Sequence, residues 1–181
     1  MTAFIYQLAA SARRESVRSA AIVMPLGQKG KLMERTEIVV YTDGSCKGNP
    51  GPGGWAAILT CGNKEFVLTG SEEHTTNNRM ELTAVIKAVE FCKKPHRITI
   101  VADSTYVMMT QARWKKQSKQ ADWKNSDLWY QLLSACKAGG HTIRYEHVYG
   151  HRGHDYNERC DKLAKEQAEL AGKDVAHGVL P

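Results

Sequence analysis

Two β-branched runs, Ile38-Val39-Val40 and Ile98-Thr99-Ile100-Val101, each lead within a few residues to an acid, Asp43 and Asp103. Runs of this kind suit buried strands, so the chain offers two carboxylates at strand ends. Between them, Leu82, Val85, Ile86 and Val89 recur at helical spacing until Pro95, which predicts a helix over about 78–93. Strands are also predicted at 55–60, 65–69, 97–102 and 141–148. Further helices are expected from Thr105, from a cap at Ser126 to Gly139-Gly140, and from the segment carrying Cys160, Leu163, Ala164, Ala168 and Ala171 to Gly172. The resulting order, β-β-β-α-β-α-α-β-α, is that of an α/β domain.

Two more acids belong with the first pair. Glu81 stands at the mouth of the first helix, in its expected first turn, and Asp161 flanks the apolar stripe of the last. A cluster of carboxylates suits hard divalent cations, which prefer oxygen ligands. Two such ions about 3.5 to 4 Å apart stabilise both the attacking and leaving oxygens of a phosphoryl displacement. Each acid also has an ordinary explanation when taken alone. Asp43-Gly44 fits a hairpin turn, Glu81 after Asn78 fits a capping box, Asp103 fits a helix cap, and Asp161 fits a solvated helix face.

Composition sets the frame. The chain has 181 residues and 42% hydrophobic content, enough for one substantial core. Its net charge of +6 suits a polyanionic partner, because Lys and Arg neutralise phosphates. Five cysteines without a Cys-x-x-Cys pair point to buried thiols in a reducing compartment, hence to a cytoplasmic protein. No apolar run approaches the roughly 18 residues of a membrane span, so no membrane partner is expected. Residues 1–36 read as a flexible basic extension, in which Arg13, Arg14, Arg18, Lys29, Lys31 and Arg35 outnumber Glu15 and Glu34. A start at Met33 and a targeting peptide are the competing accounts. Residues 37–172 make the domain and 173–181 an unstructured tail.

The phrases Tyr41-Thr42-Asp43-Gly44-Ser45-Cys46, Gly48-Asn49-Pro50-Gly51-Pro52-Gly53-Gly54, Thr76-Asn77-Asn78-Arg79-Met80-Glu81-Leu82, Asp103-Ser104-Thr105-Tyr106-Val107 and Gly150-His151 through Asn157-Glu158-Arg159-Cys160-Asp161 occur in an order and spacing that resembles type 1 ribonuclease H. The resemblance covers about 37–171 and is specific as a set. It implies a ribonuclease H-like fold, a five-stranded mixed sheet with helices on both faces. It also implies a metal-dependent endoribonuclease that cuts the RNA strand of RNA/DNA hybrids by a two-metal mechanism, leaving 5′-phosphate and 3′-hydroxyl ends. The cofactor would be Mg²⁺, with Mn²⁺ as a substitute, the partner an RNA/DNA hybrid, and the enzyme a monomer.

Carried over residue by residue, Asp43 bridges both metals, Glu81 and Asp103 fix one each or share them, and Asp161 completes the second site. His151, in a glycine-bounded loop, moves protons or helps release product, a role suited to a group titrating near neutrality; an inert loop histidine is the alternative. The spacing of His147, His151 and His154 also hints at zinc, but no cysteine pair accompanies it. Gly44, Ser45 and Cys46, by their amides, and Asn49, Asn77 and Asn78, by their side chains, match contacts to 2′-hydroxyls and minor-groove edges. Thr76 matches a phosphate contact, or else caps the helix.

Two departures stand out. Thr105 replaces the Gln common in the family, and the stretch around Arg113, Trp114, Lys115, Lys116 and Lys119 is a remnant of the long basic handle of other members. Trp114 beside these charges suits a nucleic-acid groove, and weaker hybrid binding is expected. Rival readings are a 3′-exonuclease, whose first strand would carry Asp-x-Glu rather than Asp43-Gly44-Ser45, an inactive hybrid-binding module, and a fragment of a reverse transcriptase.

Overall fold

The computed structural model of the chain describes residues 36–114, 124–149 and 153–177. Over them run strands β1 (Glu37–Cys46), β2 (Gly51–Cys61) and β3 (Lys64–Thr75), helix α1 (Asn77–Phe91), strand β4 (Arg97–Ala102), helices α2 (Thr105–Trp114) and α3 (Ser126–Gly139), strand β5 (Thr142–His147) and helix α4 (Asp155–His177). The sheet order is β3-β2-β1-β4-β5. The first three strands form an antiparallel meander, whereas β4 joins β1, and β5 joins β4, in parallel. Parallel neighbours need a crossover connection, which α1 supplies between β1 and β4. The α/β class, the mixed five-stranded sheet and the element order all agree with the sequence.

Alternation along the strands divides the molecule into two layers. On one face Ile38 and Val40 of β1, Ala57 and Leu59 of β2, and Ile98 and Ile100 of β4 pack against Leu82, Val85, Ile86 and Val89 of α1, with Trp129, Leu132 and Cys136 of α3 behind. Each fully buried branched side chain here is worth roughly 1.5–3 kcal/mol. The opposite face is smaller: Ala56 and Ile58 meet Cys160 and Ala164 of α4, flanked by Tyr41, Tyr156 and Leu163. Tyr41 and Tyr156 stack with centroids 4.7 Å apart. Arg159 lies 5.4 Å from the Tyr156 ring centre and forks onto Glu65 of β3 at 2.7 and 3.1 Å. Helices therefore cover both faces, with α4 alone on the second. Among the described residues no helix is long and apolar enough to cross a membrane.

Several boundaries differ from expectation. Strand β1 continues to Cys46, so Asp43 lies inside it, opposite Ala56, and the hairpin turn is excluded. Gly51 to Gly54 form the start of β2 rather than a loop, because ladder pairing with β1 and β3 outweighs the low strand preference of Gly and Pro. Helix α1 begins at Asn77, placing Glu81 fifth and so in the second turn. Ser126 is the first helical residue of α3; its N-cap is Asn125, which makes no side-chain cap bond. Helix α4 runs through Gly172 to His177, so the beginning of the expected tail is helical. Ala168 and Ala171 are buried, and that packing offsets the cost of about 1 kcal/mol for a helical glycine.

Two close approaches fix the helices. A Cβ on Gly44 would overlap the backbone nitrogen of Glu81 and the carbonyl carbon of Met80; one on Gly54 would overlap the carbonyl oxygen of Ala164 and the amide of Ala168. The obstacles are backbone atoms, so neither helix can give way locally. Gly44→Ala and Gly54→Ala are each expected to cost about 1–3 kcal/mol, the usual range for overpacking. Urea unfolding should show a lower midpoint with an unchanged slope, and wild-type midpoints would disprove the close contacts.

Candidate active site

Parallel pairing sets the first two acids side by side. The last paired residues of β1 and β4 are Tyr41 and Val101, and two residues beyond each come Asp43 and Asp103. Helix α1, seated on Gly44, brings in Glu81. Helix α4, seated on Gly54, brings in Asp161, with Asn157 one turn earlier on the same face.

Electrostatics show that the acids converge. Asp43 is pushed up to about 7, first by burial and next by the Asp103 carboxylate, with Asp161 and Glu81 adding to the rise. The Gly44 amide, which donates to Asp43 Oδ1 at 2.7 Å, works in the other direction. Burial and then Asp103 also raise Glu81, against hydrogen bonds from Ser104 and Asn77 that lower it. Asp161 accepts a bond of 2.7 Å from Lys165 Nζ. Asn157 Nδ2 approaches Asp103 Oδ2 at 3.5 Å, while the buried Oδ1 of Asn157 has no partner among the described residues.

The ordinary explanations fare differently once contacts are known. The N–H of Val107 is capped by Ser104 Oγ at 3.2 Å, so the α2 cap is Ser104 rather than Asp103. At the start of α1, Thr76 occupies the N-cap without a side-chain cap bond, and Glu81 accepts from Asn77 and Ser104 instead of closing a capping box. Asp161 is paired with Lys165 and its side chain is only 26% exposed, unlike a free surface acid.

Among the described residues, no three His, Cys, Asp or Glu side chains already stand in metal-binding geometry. The acids share an electric field without forming a closed cage. The chemistry of the set nonetheless fits a hard divalent cation: every donor is oxygen, and burial first, then repulsion from Asp103, raise Asp43, costs of holding charge there that a cation would offset. Asp43, Glu81, Asp103 and Asp161 could hold such an ion.

The residues expected to touch substrate gather at the same end of the sheet. Gly44, Ser45 and Cys46 finish β1, Asn77 and Asn78 open α1 after Thr76, and Thr105 opens α2. Asn49 Oδ1 accepts the Asn77 amide at 3.0 Å. The thiol of Cys46 points toward the carbonyls of Gly51 and Thr75, at 3.5 and 3.4 Å, leaving its backbone at the site. Thr76 Oγ1 is buried without a partner among the described residues. His151 lies outside the described residues, as does the side chain of Trp114 together with the basic stretch after it. His147, part of the zinc-like spacing, turns its Nε2 to the Asp103 carbonyl at 3.1 Å.

Three contributors went unassigned in the sequence: Ser104, Asn157 and Lys165. The signal for Asn157 and Lys165 was present, since each is four residues from Asp161 on a helix. Ser104 stood at an N-cap, but its contact with Glu81 spans 23 residues and leaves no local trace.

Comparison with known proteins agrees with this geometry. The profile described as RNase H matches residues 35–169. Ribonuclease H of Polaromonas sp. (strain JS666) is 46% identical over 145 residues, covering 76% of this chain and 91% of the relative. Ribonuclease HI of Pseudomonas syringae pv. tomato is 45% identical over 150 residues, covering 78% and 95%. Among solved structures, LC9-RNase H1, described as a type 1 RNase H with the type 2 active-site motif, superposes with a TM-score of 0.67 at 30% identity over 76% of this chain and 74% of its own. LC11-RNase H1, solved in complex with an RNA/DNA hybrid, shares the fold with a TM-score of 0.59 at 22% identity, over 74% and 98%. With this coverage and identity, the chain belongs to the type 1 ribonuclease H (ribonuclease HI) family of hydrolytic nucleases.

Proposed function

We propose that the chain is an endoribonuclease that hydrolyses the RNA strand of RNA/DNA hybrids with two divalent cations, leaving 5′-phosphate and 3′-hydroxyl ends. The observation that carries this is the convergence of four carboxylates from β1, α1, the end of β4 and α4, with Asp43 feeling the other three. The relative LC11-RNase H1 was captured with an RNA/DNA hybrid, which favours the same substrate here. Mg²⁺ is the proposed ion, with Mn²⁺ as a substitute.

Asp43, central to the cluster, would be the shared ligand, Glu81 and Asp103 would fix one ion each or share them, and Asp161 would complete the set. When bound, such ions stabilise the attacking and leaving oxygens of an in-line displacement at phosphorus. Lys165 now neutralises Asp161 and would yield that oxygen to an incoming cation. Asn49, Asn77, Asn78, Thr105 and the amides of Gly44 to Cys46 are proposed to read the hybrid, where the 2′-hydroxyl distinguishes RNA from DNA. Asn77 would make such a contact through its amide oxygen, since its Nδ2 serves Glu81. Thr76 is proposed to meet a phosphate and Trp114 to line the groove. His151 is proposed to carry a proton to or from the reacting groups. Free Cys46, Cys61, Cys92, Cys136 and Cys160 suit a reducing compartment, and we take the enzyme to act as a monomer in the cytoplasm.

Labelled hybrid, double-stranded DNA and single-stranded RNA, each with Mg²⁺ or EDTA, test the assignment. Hybrid alone should be cut, and only with the metal; cutting of all three substrates, or of hybrid in EDTA, would refute it.

Asp43→Asn should abolish turnover while stabilising the metal-free protein. A carboxyl at about 7 in the fold and about 3.9 unfolded makes the native state bind more protons than the unfolded state in between. Stability of the wild type therefore falls as pH rises through roughly 4 to 7 and stays low above. Discounted for the solvent reaching this half-buried group, the gain from Asn above pH 7 is on the order of 1–3 kcal/mol. Melting curves in EDTA at pH 5 and pH 8 should show a gap that widens with pH, and a gap that is constant or shrinks would contradict it. His151→Ala should slow turnover by roughly 10² if the imidazole moves protons; near-normal turnover would reduce His151 to a loop residue.

A further inference from the structure

Glu81 is held at both oxygens. Oε1 accepts from Asn77 Nδ2 at 2.9 Å, and Oε2 accepts from the hydroxyl of Ser104. The same Ser104 oxygen accepts the N–H of Val107 at 3.2 Å, and the Ser104 carbonyl accepts the N–H of Met108 at 3.1 Å. Ser104 is thus the N-cap of α2 with its one proton committed elsewhere. A hydroxyl has a single donor and two acceptor sites, so the bond to Glu81 and the cap are compatible and fix one rotamer. Each carboxylate oxygen of Glu81 uses one lone pair in these bonds and keeps a second.

We propose that Ser104 is a positioning residue: its hydroxyl ties Glu81 to the first turn of α2 and sets the carboxylate in the orientation that grips a divalent cation. This rests on the metal-dependent function proposed above. A glutamate has free torsions that a cation would otherwise have to immobilise, and hydrogen bonds from two different elements remove that freedom in advance. Preorganised ligands bind more tightly because the ordering cost is met before binding. The residue next to Ser104, Thr105, is among those expected to touch the hybrid. A shift of α2 on substrate binding would be passed to Glu81 through one hydroxyl.

The rival role is capping alone, and three substitutions separate the two. Ser104→Thr keeps both bonds. Ser104→Ala loses both, and Ser104→Gly loses the donor while glycine remains a fair N-cap. Thermal unfolding of the full chain, without substrate, across a Mg²⁺ titration gives the apparent dissociation constant of the ion from the rise of stability with its concentration. Ala and Gly should raise it roughly 10- to 100-fold, as expected for one bond to a charged acceptor, and Thr should restore it. On hybrid, kcat at limiting Mg²⁺ should fall while KM stays near wild type. If Ala and Gly give the wild-type dissociation constant, Ser104 only caps α2 and the proposal fails. If Ala does not fold, Gly decides. A wild type that gains no stability from Mg²⁺ would overturn the metal-dependent function itself, and this proposal with it.

Discussion

Two helices touch the sheet at backbone contact, α1 over Gly44 and α4 over Gly54, and the placement of the acids depends on these contacts. One lies on each face, so the helices approach the same end of the central strands from opposite sides. Asp43 and Asp103 are already adjacent through parallel pairing of β1 with β4. A side chain at either glycine would lift a helix by about the width of a methyl group and take its carboxylate along. Tyr41 on Tyr156, Arg159 on Glu65, and the Cys160 thiol on the Tyr41 carbonyl at 3.3 Å then lock the first turns of α4 in that seat.

That geometry is held against an electrostatic cost. Carboxylates brought together in a partly dry site repel one another, and burial adds to the penalty. The protein lessens it locally: the Gly44 amide bonds Asp43, Ser104 and Asn77 bond Glu81, and Lys165 bonds Asp161. None of these neutralises Asp43 fully. The apolar layers on both faces hold the acids together all the same, as expected where function demands an arrangement that packing alone would not select.

Much of this was legible in the sequence, for identifiable reasons. The β-branched runs and the spacing of Leu82, Val85, Ile86 and Val89 are local signals, and the element order followed from them. The motif set pointed to the family and to the acids as a group. Boundaries were less legible where tertiary pairing overrides propensity, as at Gly51 to Gly54 in β2 and at Gly172 inside α4. Gly44 was read as an amide facing substrate, yet its lack of a side chain is what admits α1, a packing fact that only the fold reveals. Ser104 escaped because its partner Glu81 is 23 residues away, beyond the reach of any periodic pattern, whereas Asn157 and Lys165 stood at helical spacing from Asp161 and could have been found.

The order of elements along the chain gives the α4 clamp a further meaning. Asp43, Glu81 and Asp103 all precede Asp161 by more than fifty residues, and Asp161 sits on the last described element. Without α4, Ala56 and Ile58 would lose the cover of Cys160 and Ala164 and the acidic cluster would lack its fourth member. A chain with α4 undocked would keep the pairing of its sheet but have an incomplete acidic cluster. Docking of α4, with Tyr156 stacked on Tyr41, thus covers the second face and completes the acidic cluster in a single packing event.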